Sequence, residues 1–410
     1  MIASRVVRPF LWGAIIVPFA FSEFAFAQQR QADEANVTVR ERPRPQYDAL
    51  GIRTGSFFVF PEVAIAGSYS DNVDFDEDDE ESDYIATFRP SVELESDWSR
   101  HALGIELGSE VAFHGSETDD DYQDFFLNGD GRFDISRQTI LTGNAGVNRS
   151  HENQSVGNND EVEDFTAVDG GLALSHQFNR LTLRLSGDLE RTVFDDDGQE
   201  DEDRYEYNAL LRGTYEVSPR LNVFAEGRYN VENYDIADLA TGDDQDSDGY
   251  EARLGAGLNL TSVLFGEAFA GYRVQQFDEG GFDNEKGISF GIDLNWNVTQ
   301  LTSIGLTGVR DFQASDQPGA ASNFQTQLGL SVDHELLRNV IVGGSFTYEN
   351  DDFRNDDRED DIYRVGAGAT YWVNRNVTLN ADYEYSERES NQAGEDFEAN
   401  EISIGLTLRL

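Results

Sequence analysis

The stretch that decides the fold runs from Tyr84 to His114 and reads YIATFRPSVELESDWSRHALGIELGSEVAFH. It predicts two strands joined by a tight turn at residues 97–100. On the second strand the apolar side chains occupy alternate positions: Leu103, Ile105, Leu107, Val111 and Phe113. The positions between them include Glu106 and Glu110. Alternation with a period of two indicates β-strands that have one apolar and one charged face.

The length of these two strands distinguishes a membrane barrel from a soluble β-sandwich. Soluble strands usually run for about five or six residues. The strands in this stretch run to about a dozen residues, close to the ~9–11 that a tilted strand needs to cross a bilayer. A transmembrane barrel places its apolar face against lipid and its polar face toward a wet interior. The stretch therefore predicts strands of a transmembrane barrel.

Two kinds of connection alternate along the rest of the chain. Short turns are predicted near residues 98–100, 136–137, 178–180, 218–220, 261–262, 297–299, 336–338 and 374–375. Longer loops, many of them acidic, are predicted near residues 71–83, 116–121, 153–164, 195–203, 242–249, 278–284, 314–323, 351–361 and 387–397. Eight turns between nine loops predict an all-β antiparallel barrel of about 18 strands over residues 56–410. Its short turns face the periplasm and its acidic loops face outward.

Aromatic residues are placed near both sets of connections, as expected for rings at the two membrane surfaces. Trp98, Trp296 and Trp372 lie beside short turns. A second group precedes the long loops: Tyr69, Phe113, Phe194, Tyr234, Phe277, Phe312, Tyr348 and Tyr385. The two groups predict two aromatic belts.

The first 55 residues carry a different pattern. Residues 1–27 predict a secretory signal peptide with a basic start, a short apolar core and a small-residue cleavage site at Ala25–Ala27. An uncleaved anchor helix is the alternative. Residues 28–55 are polar and rich in arginine, and predict a flexible periplasmic segment. A plug or a docking arm is the alternative for this segment.

The composition excludes several classes of function. The net charge is −49, and removal of residues 1–27 would change it to −50. Such a charge argues against nucleic-acid binding and favours divalent cations, cationic or neutral ligands, or a saline habitat. The chain has no cysteine, which excludes disulfides, zinc–thiolate sites and thiol nucleophiles.

Four short motifs resemble the opening hairpins of the "putative beta-barrel porin 2" family: PEV at 61–63, YSDNV at 69–73, RPSV at 89–92 and SDWSRH at 96–101. The resemblance implies a barrel in the outer membrane of a Gram-negative bacterium, without defining catalytic residues. Some relatives are encoded with exopolysaccharide synthesis and export genes. The implied partners are outer-membrane lipid and lipopolysaccharide, the barrel insertion machinery, and components of polysaccharide export.

The predicted inward face carries charges of both signs. Its members are Arg89, Glu93, Glu95, Glu106, Glu110, Arg132, Arg184, Asp188, Glu190, Glu226, Arg228, Arg253, Arg273, Asp293, Arg364, Asp382, Glu384 and Arg409. In a water-filled lumen such residues stay ionised and set the ion preference. The alternative is a lumen that these side chains fill by pairing with one another.

One acidic loop partly matches a calcium-binding motif. Asp244, Asp246 and Asp248 have the spacing of the first ligands of a calcium loop. The twelfth position, which should supply a bidentate glutamate, is Gly255. We therefore predict no firm metal site and no cofactor. Ca²⁺ or Mg²⁺ bound loosely to the acidic loops, or bridging to lipopolysaccharide phosphates, is the alternative.

The last strand and the histidines complete the functional predictions. Ser403, Gly405, Leu408 and Leu410 resemble the C-terminal signal read by the insertion machinery, although a terminal Phe is more common than Leu. Only His114 and His151 fall near the outer rim, and no serine or aspartate pairs with them in the sequence. Because acid–base chemistry needs such a base beside the reacting group, we predict no enzyme activity.

Together these patterns predict a passive aqueous channel for small solutes, or a conduit associated with exopolysaccharide export. A surface scaffold or adhesin with a closed lumen and cation-binding loops is the alternative. The loops near residues 116–121 and 153–164 are too short for an obvious constriction loop, which favours a monomer.

Overall fold

The fold is given by a computed structural model of the chain. It describes residues 36–152, 163–195, 199–237, 239, 242–260, 263–277, 284–314, 322–354 and 358–410. The predicted signal peptide lies outside the described residues. Within those residues, no helix combines the length and the apolar character that a membrane crossing requires.

Nineteen strands make up this part of the chain, and all but the first contain 13 to 16 residues. They are β1 Ile52–Thr54, β2 Phe57–Ser70, β3 Asp83–Ser96, β4 Ala102–His114, β5 Tyr122–Asp134, β6 Thr139–Glu152, β7 Glu163–Phe178, β8 Leu181–Phe194, β9 Arg204–Ser218, β10 Leu221–Tyr234, β11 Ser247–Leu260, β12 Leu264–Phe277, β13 Glu285–Thr299, β14 Thr302–Ala314, β15 Ser322–Leu337, β16 Val340–Arg354, β17 Glu359–Trp372, β18 Val377–Ser390 and β19 Phe397–Arg409.

The long strands form one closed antiparallel barrel. Each strand from β2 to β18 pairs with the next along the chain, and β19 pairs back with β2 from Glu401↔Ser70 to Arg409↔Glu62. The short β1 is a hairpin extension on β2. Closure pairs the backbone groups of both end strands, which a lipid environment demands. The predicted 18-stranded transmembrane barrel is therefore confirmed.

Side chains alternate between two very different environments. Leu254 is 70% exposed and Ile404 is 65% exposed, as is usual for apolar residues on the outward face. Their neighbours in sequence, Arg253 and Ser403, are each only 4% exposed and point inward. Apolar exposure on this scale would be unfavourable in water, but it suits a wall that contacts acyl chains.

The predicted aromatic belts need a correction. Trp98 and Trp296 are exposed near the short turns, as expected for interface residues. Trp372 instead is only 3% exposed, and Phe194 and Phe312 are also buried. In β17 the outward positions are odd-numbered, with Val365 and Tyr371 both exposed, so Trp372 falls on the inward face. A shift of one residue is enough to move a side chain between the two faces of a strand.

Candidate functional site

The barrel lumen is the candidate site, because its wall gathers the charged residues. The eighteen residues predicted to line it all occupy inward positions in the register of their strands. The structure brings thirteen of them into two separate groups, one on β8–β12 and one on β3–β5. The other five lie elsewhere on the wall: Asp293, Arg364, Asp382, Glu384 and Arg409. Of these, Arg364 lies 3.1 Å from Glu349.

The first group is a row of five arginines on five consecutive strands, β8 to β12. We call it the arginine ladder, and its members are Arg184, Arg212, Arg228, Arg253 and Arg273. Carboxylates separate the guanidinium groups. Arg212 lies 2.7 Å from Glu267, while Arg253 and Arg273 lie 3.0 and 2.8 Å from the two oxygens of Asp311. Arg253 also contacts Glu251. This side of the lumen is densely ion-paired, and Glu251, Arg253 and Asp311 are buried in it.

Phenylalanine–glycine pairs hold two of these arginines in place. Phe224 lies opposite Gly255 in register, and a Cβ on Gly255 would come within 2.3 Å of its ring. The absence of that Cβ lets the ring lie flat on the wall, and the Arg212 guanidinium stacks on it at 3.6 Å.

Phe269 and Gly291 repeat the arrangement beneath Arg253, whose guanidinium lies 4.4 Å from the ring centroid. Sequence reasoning missed these rings. The only signal for them is an inward Phe directly opposite a Gly on the next strand, and that can be recognised only when the register is known.

The second group faces a more open part of the lumen. We call it the acidic wall, and its members are Glu93, Glu95, Glu106, Glu110, Asp124 and Asp130 on β3–β5. None of these side chains is buried: Asp130 is exposed and the other five are half-buried, whereas Arg184 and Arg253 of the ladder are buried. Glu93 and Glu106 face each other directly in register, and Arg89 lies 3.1 Å from Glu110. Opposed like charges destabilise a sheet unless water or counter-ions reach them.

Residues 36–51 lie inside the barrel at the end that carries the short turns, and we call them the N-terminal strap. The Val39 amide donates to Ser303 Oγ at 2.8 Å, and Asn297 Nδ2 donates to the Val37 carbonyl at 3.0 Å. The Val39 side chain is fully buried against Ile341 and Trp372. These contacts hold the strap against the inner surface of β13–β17.

Charged groups reinforce the docking of the strap. Arg40 lies 2.5 Å from Asp333, and Arg44 lies 3.4 Å from Glu335. The Arg44 guanidinium also stacks over Trp372 at 4.7 Å. A flexible segment was expected over residues 28–55, with a plug or docking arm as the alternative. For residues 36–51 the contacts favour the alternative.

The predicted calcium motif is engaged in bonds within its own loop region. Asp246 accepts a hydrogen bond from the Tyr234 amide at 2.6 Å, and its own amide donates to Asp244 at 3.0 Å. Among the residues that the structure describes, no group of three or more His, Asp or Glu side chains could hold a metal ion. Asp248 lies in β11, outside the loop. Loose cation binding by the loops stays a prediction.

The outer loops do bring carboxylates together at Asp74. Partial burial, followed by repulsion from Asp120, Glu81 and Asp76, raises the pKa of Asp74 from 3.8 to about 6. Because the pKa of Asp74 is raised in the folded state, its bound proton contributes to the stability of the fold. That contribution is fully present below pH 3.8 and is lost as pH rises through about 6. The loops therefore gain negative charge between mildly acidic and neutral pH.

Substitution Asp120→Asn tests this coupling. We expect the pKa of Asp74 to fall toward 3.8, because a repulsive neighbour is removed, while the remaining burial keeps it somewhat raised. The measurement is the titration of aspartate carboxyl carbons by NMR in detergent, with the Asp74 signal assigned by its loss in Asp74→Asn. An unchanged midpoint would show that Asp120 does not contribute.

The predicted insertion signal lies on the closing strand β19. Ser403 and Gly405 are on the inward face, whereas Leu408 is exposed on the outward face. Leu410 directly follows the strand and is exposed as well. The two rim histidines have carboxylate neighbours: His151 lies 3.1 Å from Asp124, and His114 lies 3.6 Å from Asp121. Neither of these contacts includes a serine or threonine nucleophile.

A family model settles the class of this barrel. The model described as "Putative beta-barrel porin 2" matches residues 44–410, most of the chain. The chain belongs to the putative beta-barrel porin 2 family. This porin-family barrel is thus a protein of the Gram-negative outer membrane with a porin-like channel fold, which indicates a channel rather than an enzyme.

Solved structures of similar fold come from Pseudomonas aeruginosa. OpdK is 10% identical, covers 86% of this chain and 99% of its own, and gives a TM-score of 0.48. OpdL is 14% identical, covers 87% and 100%, and gives 0.47. OccK2 (OpdF) is 11% identical, covers 86% and 98%, and gives 0.48. No curated protein matches the chain.

Proposed function

We propose that this porin-family barrel is a passive, water-filled channel that prefers small cations and neutral solutes. The observation that supports the proposal best is the contrast between the two sides of the lumen. On β8–β12 the ladder arginines are interleaved with carboxylates, and Arg184 and Arg253 are buried, whereas the six members of the acidic wall on β3–β5 are all negative and none of them is buried. Solutes would therefore pass along the acidic wall.

The mechanism is diffusion past fixed charges. Carboxylates on the acidic wall attract cations and repel anions. The acidic outer loops raise the local concentration of cations at the outer mouth. Because both effects are electrostatic, the preference for cations should weaken as salt screens the charges over a Debye length of about 10 Å at 0.1 M.

Reversal potentials in planar bilayers test this proposal. Purified protein should give discrete conductance steps, and a KCl gradient should reveal at least about a twofold preference for K⁺ over Cl⁻. The double substitution Glu93→Gln and Glu106→Gln should reduce that preference. Asp97→Asn is the matched control, because Asp97 pairs with Arg53 in an exposed contact at a short turn. Anion preference in the parent protein would contradict the proposed mechanism.

The association with exopolysaccharide export is a narrower proposal, supported by the family resemblance alone. It requires that polysaccharide or a component of its export machinery engages the barrel. A deletion strain should then lose surface polysaccharide, and complementation with the intact gene should restore it. Unchanged surface polysaccharide in the deletion strain would reject the association and leave the channel proposal in place.

A closed surface scaffold or adhesin is the second candidate function, supported by the dense pairing of the ladder side. It predicts folded protein that inserts into bilayers but gives no conductance steps. It also predicts reduced surface attachment in the deletion strain. Conductance steps from the purified protein would reject the closed lumen.

A further inference from the structure

The N-terminal strap is attached to a large part of the periplasmic mouth. Its contacts involve six of the strands between β13 and β19, from Asn297 on β13 to Arg409 on β19. It also meets two of the short turns, since Arg42 donates to the Gln300 carbonyl and Arg375 donates to the Pro45 carbonyl. The strap thus contacts six of the eighteen long strands at this end of the barrel.

The strap also changes the charge of the wall that it covers. Asp333 and Glu335 are inward carboxylates on β15, at the same end of the barrel as the strap. Arg40 and Arg44 place a guanidinium against each of them. Without the strap, these carboxylates would add to the negative charge around the mouth.

The wall is shaped to accept the strap. Gly343 lies beside the Arg40–Asp333 pair, and a Cβ there would come within 2.8 Å of Asp333 Oδ1 and 3.1 Å of Arg40 Nη2. The Val39 side chain packs against Ile341 and Trp372, and all three side chains are buried. Ile341 and Trp372 thus form an apolar anchor for the strap on the inner wall.

We propose that the N-terminal strap is a built-in constriction and charge filter at the periplasmic mouth. Arg40 and Arg44 are its specificity-determining residues. The strap confines the passage to the part of the mouth away from β13–β19 and pairs the wall carboxylates Asp333 and Glu335 with guanidinium groups. This inference rests on the proposed channel function and adds to it the segment that limits conductance and cation preference.

A deletion variant and a substitution variant test the strap. A protein lacking residues 36–49 should show a conductance about 1.5- to 2-fold higher and a stronger preference for K⁺, because a wider mouth exposes Asp333 and Glu335. The double substitution Arg40→Glu and Arg44→Glu should act in the same direction, because repulsion from Asp333 and Glu335 would expel the strap. This variant keeps the full length of the chain. Arg53→Glu is the control for a reversed charge at the same end of the barrel, because Arg53 is exposed and pairs with Asp97 of a short turn.

A charge exchange separates a filter from a merely structural role. Arg40→Asp alone and Asp333→Arg alone should each raise the conductance, and the two together should restore the parental value because the pair is re-formed with its signs reversed. Heat-modifiable mobility on gels verifies that each variant is folded.

The outcomes distinguish this inference from the proposed function. A conducting parent protein with unchanged conductance and selectivity in both strap variants would overturn the strap as a filter and leave the channel intact. A silent parent protein with conducting strap variants would support the strap as a complete closure. If neither the parent nor any variant conducts, the channel proposal fails and the inference fails with it.

Discussion

Replacement of Leu107 by arginine is expected to lower the free energy of unfolding by about 2–4 kcal/mol, the cost of a guanidinium on the lipid face near mid-membrane. Leu107 lies at the middle of β4, Ala102–His114, and its side chain is 55% exposed on the outward face. The measurement is reversible denaturant unfolding of the barrel in lipid vesicles. The effect should be large because a side chain at this outward position cannot turn into the water-filled lumen.

The adjacent position supplies the matched control. Glu106→Arg places the same side chain at the same depth but on the inward face, opposite Glu93. We expect little loss of stability, because a like-charge pair becomes an opposite-charge pair in contact with water. The same variant should lower the preference of the channel for K⁺. Equal destabilisation by the two substitutions would contradict the assignment of faces.

Substitution Asp311→Asn is expected to have a comparable or larger effect, with a loss of about 3–5 kcal/mol, as for the removal of one partner from a buried ion pair. Asp311 is buried on β14, and its two carboxylate oxygens hold Arg253 and Arg273 at 3.0 and 2.8 Å. Loss of its charge leaves two guanidinium groups with too few carboxylates around them. Denaturant unfolding in vesicles measures the change.

Two further variants show whether that loss comes from burial. Asp235→Asn removes the carboxylate of the exposed Arg191–Asp235 pair and should cost no more than about 1 kcal/mol. Arg273→Met combined with Asp311→Asn should recover part of the stability, because one unpaired cation is removed as well. A loss in Asp311→Asn no larger than in Asp235→Asn would show that water already screens the arginine ladder.

The barrel could be predicted because its signals are local. Alternation within Tyr84–His114 specifies two faces, and the acidic or short connections mark each strand end within a few residues. The number of strands then follows from the connections, and closure follows from the need to pair every edge. No long-range information enters these steps.

The N-terminal strap could not be predicted in the same way. The partners of Val39 and Arg40 lie 264 and 293 residues further along the chain, on strands that resemble the others. The arginine content of residues 28–55 was visible against a chain of charge −49, and charge complementarity was the only available signal. Which carboxylates those arginines meet depends on the register of β15.

The stacked phenylalanines and the inward Trp372 depend on register as well. Phe224 and Gly255 are 31 positions apart in the numbering and become neighbours only when β10 pairs with β11. Trp372 lies close to a short turn, where an interface ring is expected, and only its position parity sends it inward. Proximity to a turn therefore predicts how deep in the membrane a side chain lies. It does not predict whether the side chain points inward or outward.

Site-directed spin labelling of β4 tests the central claim, that the apolar face contacts lipid and the charged face contacts water. The chain has no cysteine, so single cysteines can be placed at 105, 106, 107, 109 and 110 without other changes. In lipid vesicles, labels at 105, 107 and 109 should be relaxed mainly by oxygen, and labels at 106 and 110 mainly by a water-soluble nickel complex. Equal or inverted accessibility at odd and even positions would contradict the account.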